Sequence, residues 1–172
     1  MRQLFAIDTK EYDESGKAFV RPSVRAIIIR EGKVAMVHSR KYDYYQFPGG
    51  GLEAGETHEE ALARETPEEA GLRVIPCSVR EYGCVHRVQK SGMPGYSRFV
   101  QDNFYYFCEV GAEVGEQHLD GYESDEGFTP VFIAPQAAIR TTREHPHGPK
   151  DQMMIEREAR GPELLMCEGY VS

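Results

Sequence analysis

Residues 50–72 read GGLEAGETHEEALARETPEEAGL, and this stretch decides the fold. It describes a helix entered from a glycine turn. Thr57 stands where an N-cap belongs, Glu60 three residues on completes a capping box, and Gly71 occupies the C′ position. Glu56 precedes the helix, while Glu65, Glu68 and Glu69 are spaced to share one helix face. Like charges at that spacing destabilise an isolated helix by roughly 0.2–0.5 kcal/mol per pair. Mg²⁺ or Mn²⁺ relieves the repulsion, because a hard cation takes oxygen ligands and keeps positions for water and phosphate. The preceding Pro48-Gly49-Gly50-Gly51 breaks regular structure, lets backbone approach a ligand closely and offers a carbonyl as a further ligand.

Upstream, Leu4 to Ile7 reads as a first strand and residues 10–18 (KEYDESGKA) as a surface turn. Ser23 to Arg30 and Lys33 to Ser39 form a hairpin across Glu31-Gly32, and Tyr44 to Phe47 adds a short strand. Downstream, Leu72 to Ile75, Val79 to Val88 and Phe99 to Val110 are further strands. The last is apolar on both faces, with Phe104, Tyr106, Cys108 and Val110 on one and Tyr105 and Phe107 on the other. Such a strand is central and covered from both sides. Val131 to Ile133 gives a late strand, and Pro135 opens a helix. A final helix starts near Asp151 and is expected to be interrupted at Gly161-Pro162. The sum is one α/β domain spanning residues 1–172, a mixed sheet between helices.

At 172 residues and 40% hydrophobic, the chain has material for one core. A net charge of −8 repels a long polyanion and speaks against a nucleic-acid polymer as partner, while a small phosphorylated ligand stays open because bound metal ions can invert the local sign. The opening MRQLFAIDTKEYDE lacks the apolar stretch of a signal peptide, and no apolar run is long enough to cross a bilayer. A cytoplasmic protein without membrane contact is expected, with a homodimer left open. The four cysteines form no C-x-x-C pair and read as free thiols; His145-Pro-His147 reads as a loop rather than a metal pair.

The acidic segment resembles the Nudix box, G-x5-E-x7-R-E-U-x-E-E-x-G-U with U a bulky aliphatic residue. The match falls on Gly50, Glu56, Arg64, Glu65, Glu68, Glu69, Gly71 and Leu72. It implies a Nudix-like α/β/α sandwich and Mg²⁺-dependent (or Mn²⁺-dependent) hydrolysis of a pyrophosphate linkage in a nucleoside diphosphate derivative. By position it implies Glu65 and Glu69 as metal ligands with Glu68 beside them. The carbonyl of Gly49 or Gly50 completes the shell, and Glu56 is a ligand or lies just outside it. Glu68 is the candidate base, and Arg64 orients the glutamates. Two positions depart from the pattern: Thr66 replaces an aliphatic residue, and Pro67 stands inside the helix. The Thr66 hydroxyl is expected to bond back to a carbonyl. Pro67 is expected to kink the helix after Ala63 or end it early.

Outside the box, Arg25 faces away from Val24 and Ala26 and is placed to reach a phosphate, the alternative being a rim arginine. Tyr44 and Phe47, with Tyr45, either stack on a base or pack in the core. Glu123, Asp125 and Glu126 read as a solvated acidic loop that could lend a late ligand. The markers that resemble ADP-ribose or dinucleoside polyphosphate hydrolases, a proline or tyrosine downstream of the box, are missing around Arg87. The alternatives are a Nudix-fold binding or sensor module that has lost catalysis, or a prenyl diphosphate isomerase on a related fold.

Overall fold

Glu31 and Gly32 both take positive φ, 50° and 74°, the backbone of a two-residue hairpin turn. They fold β4 (Ile29–Arg30) onto β5 (Lys33–Ser39) with Arg30 opposite Lys33, as the sequence predicts. In the computed structural model, which describes all 172 residues, the expected strand from Ser23 to Arg30 is divided. β3 (Ser23–Ile27) pairs in parallel with β9 (Arg98–Phe107), whereas β4 pairs with β5. The chain changes sheets at Ile28, whose carbonyl accepts the Ala35 N–H while that of Ile27 accepts the Cys108 N–H.

Two main sheets share the middle layer. In the mixed one, β8 (Arg80–Lys90) lies between β1 (Gln3–Asp8) and β9, with β2 (Ala18–Val20) and β3 on the far side of β9. The antiparallel one joins β11 (Phe128–Ile133), β5, β4 and β6 (Tyr44–Gln46). β7 (Leu72–Val74) and β10 (Val110–Val114) form a separate pair, so the single strand expected from Phe99 to Val110 ends at Phe107 and resumes as β10. β2 escaped sequence reading because it is short and has little burial to write a pattern.

Helix α1 (His58–Ala70) covers one face. Its Ala61, Leu62 and Ala70 pack with Val24, Ala26, Ala35, Val37 and Tyr106. Helices α3 (Pro135–Glu144) and α4 (Gln152–Cys167) cover the other, where Ala138 and Leu165 meet Ile27, Val34, Met36, Phe47 and Tyr105. The alternation along β9 is thus real: Tyr106 and Cys108 belong to one core and Tyr105 to the other. This is the expected α/β/α sandwich.

Neither proline ends its helix. α1 continues to Ala70, and Pro67 still accepts the Gly71 N–H at 2.9 Å. The donor it lacks would have met the carbonyl of Ala63, an exposed residue where solvent can stand in. α4 likewise runs through Gly161-Pro162. Gly161 is there for packing, since a Cβ would meet the Phe47 ring at 2.7 Å. The acidic stretch 120–126 is not a solvated loop: it forms a short helix α2 (Gly121–Glu126) with Glu123 and Glu126 buried.

Candidate active site

α1 begins and ends as its sequence dictates. Thr57 Oγ1 accepts the Glu60 N–H at 3.3 Å, and Glu60 returns a carboxylate to the Thr57 N–H at 2.8 Å. Gly71 takes the left-handed conformation at φ 66°. A segment far away in sequence finishes the C-terminus: His118 N–H donates to the Glu68 carbonyl at 2.9 Å and Gln117 Nε2 to that of Glu69 at 2.5 Å. These bonds satisfy carbonyls that every helix end leaves open. They also fix the turn that carries Glu68 and Glu69, downstream of the proline.

Against this helix lies the glycine loop, sewn to β3. Ala26 N–H donates to the Pro48 carbonyl at 2.8 Å, Val24 N–H to Gly50 at 3.0 Å, and Leu52 N–H to Pro22 at 3.1 Å. Gly49 has φ 137°, and a Cβ there would collide with the Val24 carbonyl; a Cβ on Gly50 would land on the Glu65 carboxylate. Position 49 therefore needs glycine, and a side chain at Gly50 would displace the Glu65 carboxylate.

Arg64 gathers the outer glutamates. Its guanidinium donates to both oxygens of Glu56 at 2.9 and 2.8 Å, to Glu65 Oε1 at 2.6 Å and to the Gly51 carbonyl at 3.1 Å. Glu68 Oε2 lies 3.6 Å from it. Hydrogen bonding and charge from Arg64 hold Glu56 below the usual carboxylate range. Glu65 is raised, because burial outweighs the same arginine. Glu69 is deeper still, 1% exposed, and accepts the Gly49 N–H at 3.0 Å and Gln46 Nε2 at 3.4 Å. Burial pushes its pKa up to about 8, with Arg25 and the Gly49 bond opposing and the charge of Glu123 adding to the rise.

Glu56, Glu65 and Glu68 thus meet around Arg64, and Glu69 lies against the glycine loop at Gly49. No three acidic, His or Cys side chains are grouped to hold one ion as they stand, but these hard oxygen donors, one of them buried with no cationic hydrogen-bond partner, are of the kind a divalent cation takes. The carbonyls of Gly49 and Gly50 are not free, as expected, but already accept from Arg25 Nη1 and Val24 N–H. Each keeps one lone pair for anything further.

The residues outside the box separate. Arg25 is buried and straps the loop through the Phe47 carbonyl, at 3.2 Å, and that of Gly49, while its Nε remains buried without a partner. Tyr44 is buried with its hydroxyl on Glu126 at 3.1 Å, though its ring still borders a cavity. Phe47 does not reach a ligand: its fully buried ring packs edge-on against Tyr105 at 5.8 Å, a correction to the stacking role. Thr66 Oγ1 is buried with no partner, so the expected bond to a carbonyl is absent. His147 bonds the carbonyls of Tyr42 and Thr142, which fits the loop reading of the histidine pair. Glu123 caps α2 by accepting the Asp120 N–H, and Glu126 holds Ser39 and Lys150.

No helix is long and apolar enough to cross a membrane. Residues 20–154 match the NUDIX domain family model. Among curated proteins, RNA pyrophosphohydrolase of Alkalilimnicola ehrlichii is 43% identical over 115 residues, 62% of this chain and 62% of that protein. RNA pyrophosphohydrolase of Halorhodospira halophila is 40% identical over 75 residues, 43% of this chain and 40% of that protein. The chain therefore spans less than two thirds of the length of these relatives. Among solved structures, a NUDIX hydrolase from Nitrosomonas europaea superposes with a TM-score of 0.51 at 17% identity, over 83% of this chain and 90% of that one, which speaks to the fold. With the family model covering most of its length and the box residues assembled around a glycine loop, the chain belongs to the Nudix family.

Proposed function

We propose that the protein is a Mg²⁺- or Mn²⁺-dependent pyrophosphohydrolase acting on a nucleoside diphosphate derivative. The observation that carries this reading is Arg64 drawing Glu56, Glu65 and Glu68 together beside the glycine loop on which Glu69 is seated. Glu65 and Glu69 hold the cation, assisted by the remaining lone pair of Gly49 or Gly50, with Glu56 held just outside. When bound, the cation neutralises charge on the phosphate oxygens and acidifies water. Glu68, the most exposed of the four, accepts the proton of the attacking water. Arg64 keeps Glu56 and Glu65 in orientation without touching the substrate. Arg25, strapped to the loop, aligns it against α1. Glu123 adds a nearby carboxylate outside the box.

The name shared by the curated relatives supports the reaction class. The continuation of α1 past Pro67, with Glu68 and Glu69 still on it, supports the enzyme over a binding-only module. The test is phosphate release from ADP-ribose, dinucleoside polyphosphates, nucleotide sugars, plain and oxidised nucleoside triphosphates and a 5′-triphosphorylated oligoribonucleotide, with Mg²⁺ and with chelator. Metal-dependent release from at least one compound is expected; none from any would overturn the reading.

A further inference from the structure

The last turn of α1 carries Glu68 and Glu69 and is the part of the helix least able to hold itself. Pro67 has no N–H for the Ala63 carbonyl, so one intrahelical bond is missing where the turn begins. A Lys, Arg or His commonly answers the negative end of a helix dipole, and this turn has none. It presents two carboxylates there instead, at the end that disfavours them.

What holds the turn comes from outside the helix. Residues 115–118, between β10 and α2, run past its end. Gly115 N–H donates to the Gly71 carbonyl at 2.7 Å, His118 N–H to that of Glu68 and Gln117 Nε2 to that of Glu69. The approach is close, since a Cβ on Gly71 would collide with the Gly115 carbonyl. Two of these donors are backbone. The third is the side chain of Gln117, half-buried in a stretch whose other residues are exposed. Its Nε2 also donates to the Phe128 carbonyl at 3.3 Å. An amide has two N–H groups, one for each carbonyl. Phe128 is 3% exposed and lies opposite Ser39 of β5, so that end is anchored in the sheet. Glu69 is thereby held twice, at its peptide by Gln117 and at its carboxylate by the Gly49 N–H.

We propose that Gln117 is a positioning residue for the metal-binding turn. Its amide is a strut from β11 to the Glu69 peptide, and it keeps the Glu69 carboxylate seated on the glycine loop where a cation can use it. This deepens the proposed function and rests on it for the metal, not for the strut.

The test removes the donor and keeps the shape. Gln117→Met has an unbranched stem of similar length, and Gln117→Glu keeps the fork but turns acceptors toward both carbonyls. Two readouts need no substrate. In chelator, hydrogen exchange of the Gly49 amide reports whether Glu69 is seated. Exchange of the Ala61 amide, bonded to the Thr57 carbonyl at 3.0 Å in the first turn, reports on α1 as a whole. Calorimetric titration with Mn²⁺ reports on the ligand set. Gln117→Met should speed Gly49 exchange by roughly tenfold or more, as a local opening frees that amide, and leave Ala61 unchanged. It should weaken Mn²⁺ binding by about 10–100-fold. Unchanged Gly49 exchange overturns the strut, as does equal acceleration at Gly49 and Ala61, which is general loosening. Faster Gly49 exchange with unchanged Mn²⁺ affinity overturns the positioning role. Gln117→Glu decides by the same criteria if Gln117→Met does not fold. If the wild type binds no Mn²⁺ while exchange responds as expected, the strut stands and the proposed metal site is rejected.

Discussion

The glycine loop divides two regions built from the same parts in opposite proportion. On the α1 side Glu56, Glu65 and Glu68 share one guanidinium, Arg64, and Glu69 has no cation bonded to it. On the α4 side, around the cavity that Tyr44 borders, Arg87, Lys150 and Arg157 each hold one carboxylate, Asp151, Glu126 and Glu158, while Arg21 and Arg25 hold none. In each region the minority charge is the internal tie and the surplus is what a ligand meets. The carboxylate surplus calls for a cation, the cationic surplus for an anion. Both press on the same loop, since Glu69 takes the Gly49 N–H while Arg25 takes its carbonyl. The two regions adjoin at the loop, where Gln46 borders the cationic cavity and donates to Glu69.

The largest effect should come from the carboxylate surplus. Glu69→Gln and Glu65→Gln keep shape and remove charge, so each is expected to lower metal-dependent turnover by about 10²–10⁴-fold, the weight of several kcal/mol of transition-state stabilisation. For Glu69 the amide oxygen can still accept the Gly49 N–H, and melting in chelator should be little changed. Full turnover in either variant would remove that glutamate from the ligand set.

Breaking the tie is the next largest. Arg64→Ala leaves Glu56, Glu65 and Glu68 facing one another, and the expected loss is about 10–100-fold in metal affinity. Arg64→Lys should rescue part of it, because one ammonium cannot supply the fork that reaches Glu56 and Glu65 together. A Mg²⁺ titration of turnover separates this from a structural defect: the variant should approach wild-type kcat at high metal with a raised half-saturation. Unchanged half-saturation would mean that Arg64 does not order the ligands.

How much of this contrast was legible follows from chain distance. The carboxylate side is written in one continuous segment, so spacing put Glu65, Glu68 and Glu69 on one face and marked both caps, and the resemblance to the Nudix box added Glu56 and Arg64. The cationic side is assembled from Arg21 and Arg25, Arg87, and Lys150 and Arg157, brought together by parallel pairing of β3 with β9 and by α4. No local period announces such a set, and only Arg25 was singled out. The same holds for Gln117 and His118 at the end of α1, which reach it through a long return of the chain. Glu123 and Glu126 look like solvated acid by composition; their burial depends on partners such as Lys150 and Ser39. Gly161-Pro162 misled for a related reason, because propensity prices a proline in isolation, while α4 runs through it with Gly161 packed on Phe47.

A smaller effect sharpens the α1 side by separating its two faces. Thr66, fully buried in place of an aliphatic residue, keeps an unpartnered hydroxyl. Thr66→Val is nearly isosteric and relieves that group, for an expected gain of about 1 kcal/mol. At this chain length that raises Tm by about 2–4 °C. Turnover should be unchanged, since the Thr66 hydroxyl bonds none of the carboxylates. A fall in Tm would show that the hydroxyl does bond within the protein.

The smallest effect belongs to the cationic side and is read in pH. Asp151 is raised by burial, but the Gln89 hydrogen bond and the charge of Arg87 together outweigh it, so its folded pKa lies below the usual 3.8. A depressed carboxylate contributes stability above its unfolded pKa, and that contribution fades as pH falls through the folded value. Asp151 also caps α4, accepting the Met153 and Met154 N–H groups at 2.8 and 3.0 Å. Asn caps a helix about as well as Asp, so Asp151→Asn isolates the charge. The side chain is about a third exposed, which screens the pairing, and the variant should lose only about 0.5 kcal/mol near neutrality. Urea unfolding at stepped pH is the measurement. The gap between the two proteins should stay constant from pH 7 to about 5 and close below 3.8. A gap that persists into acid would assign the loss to the cap rather than to the charge facing Arg87.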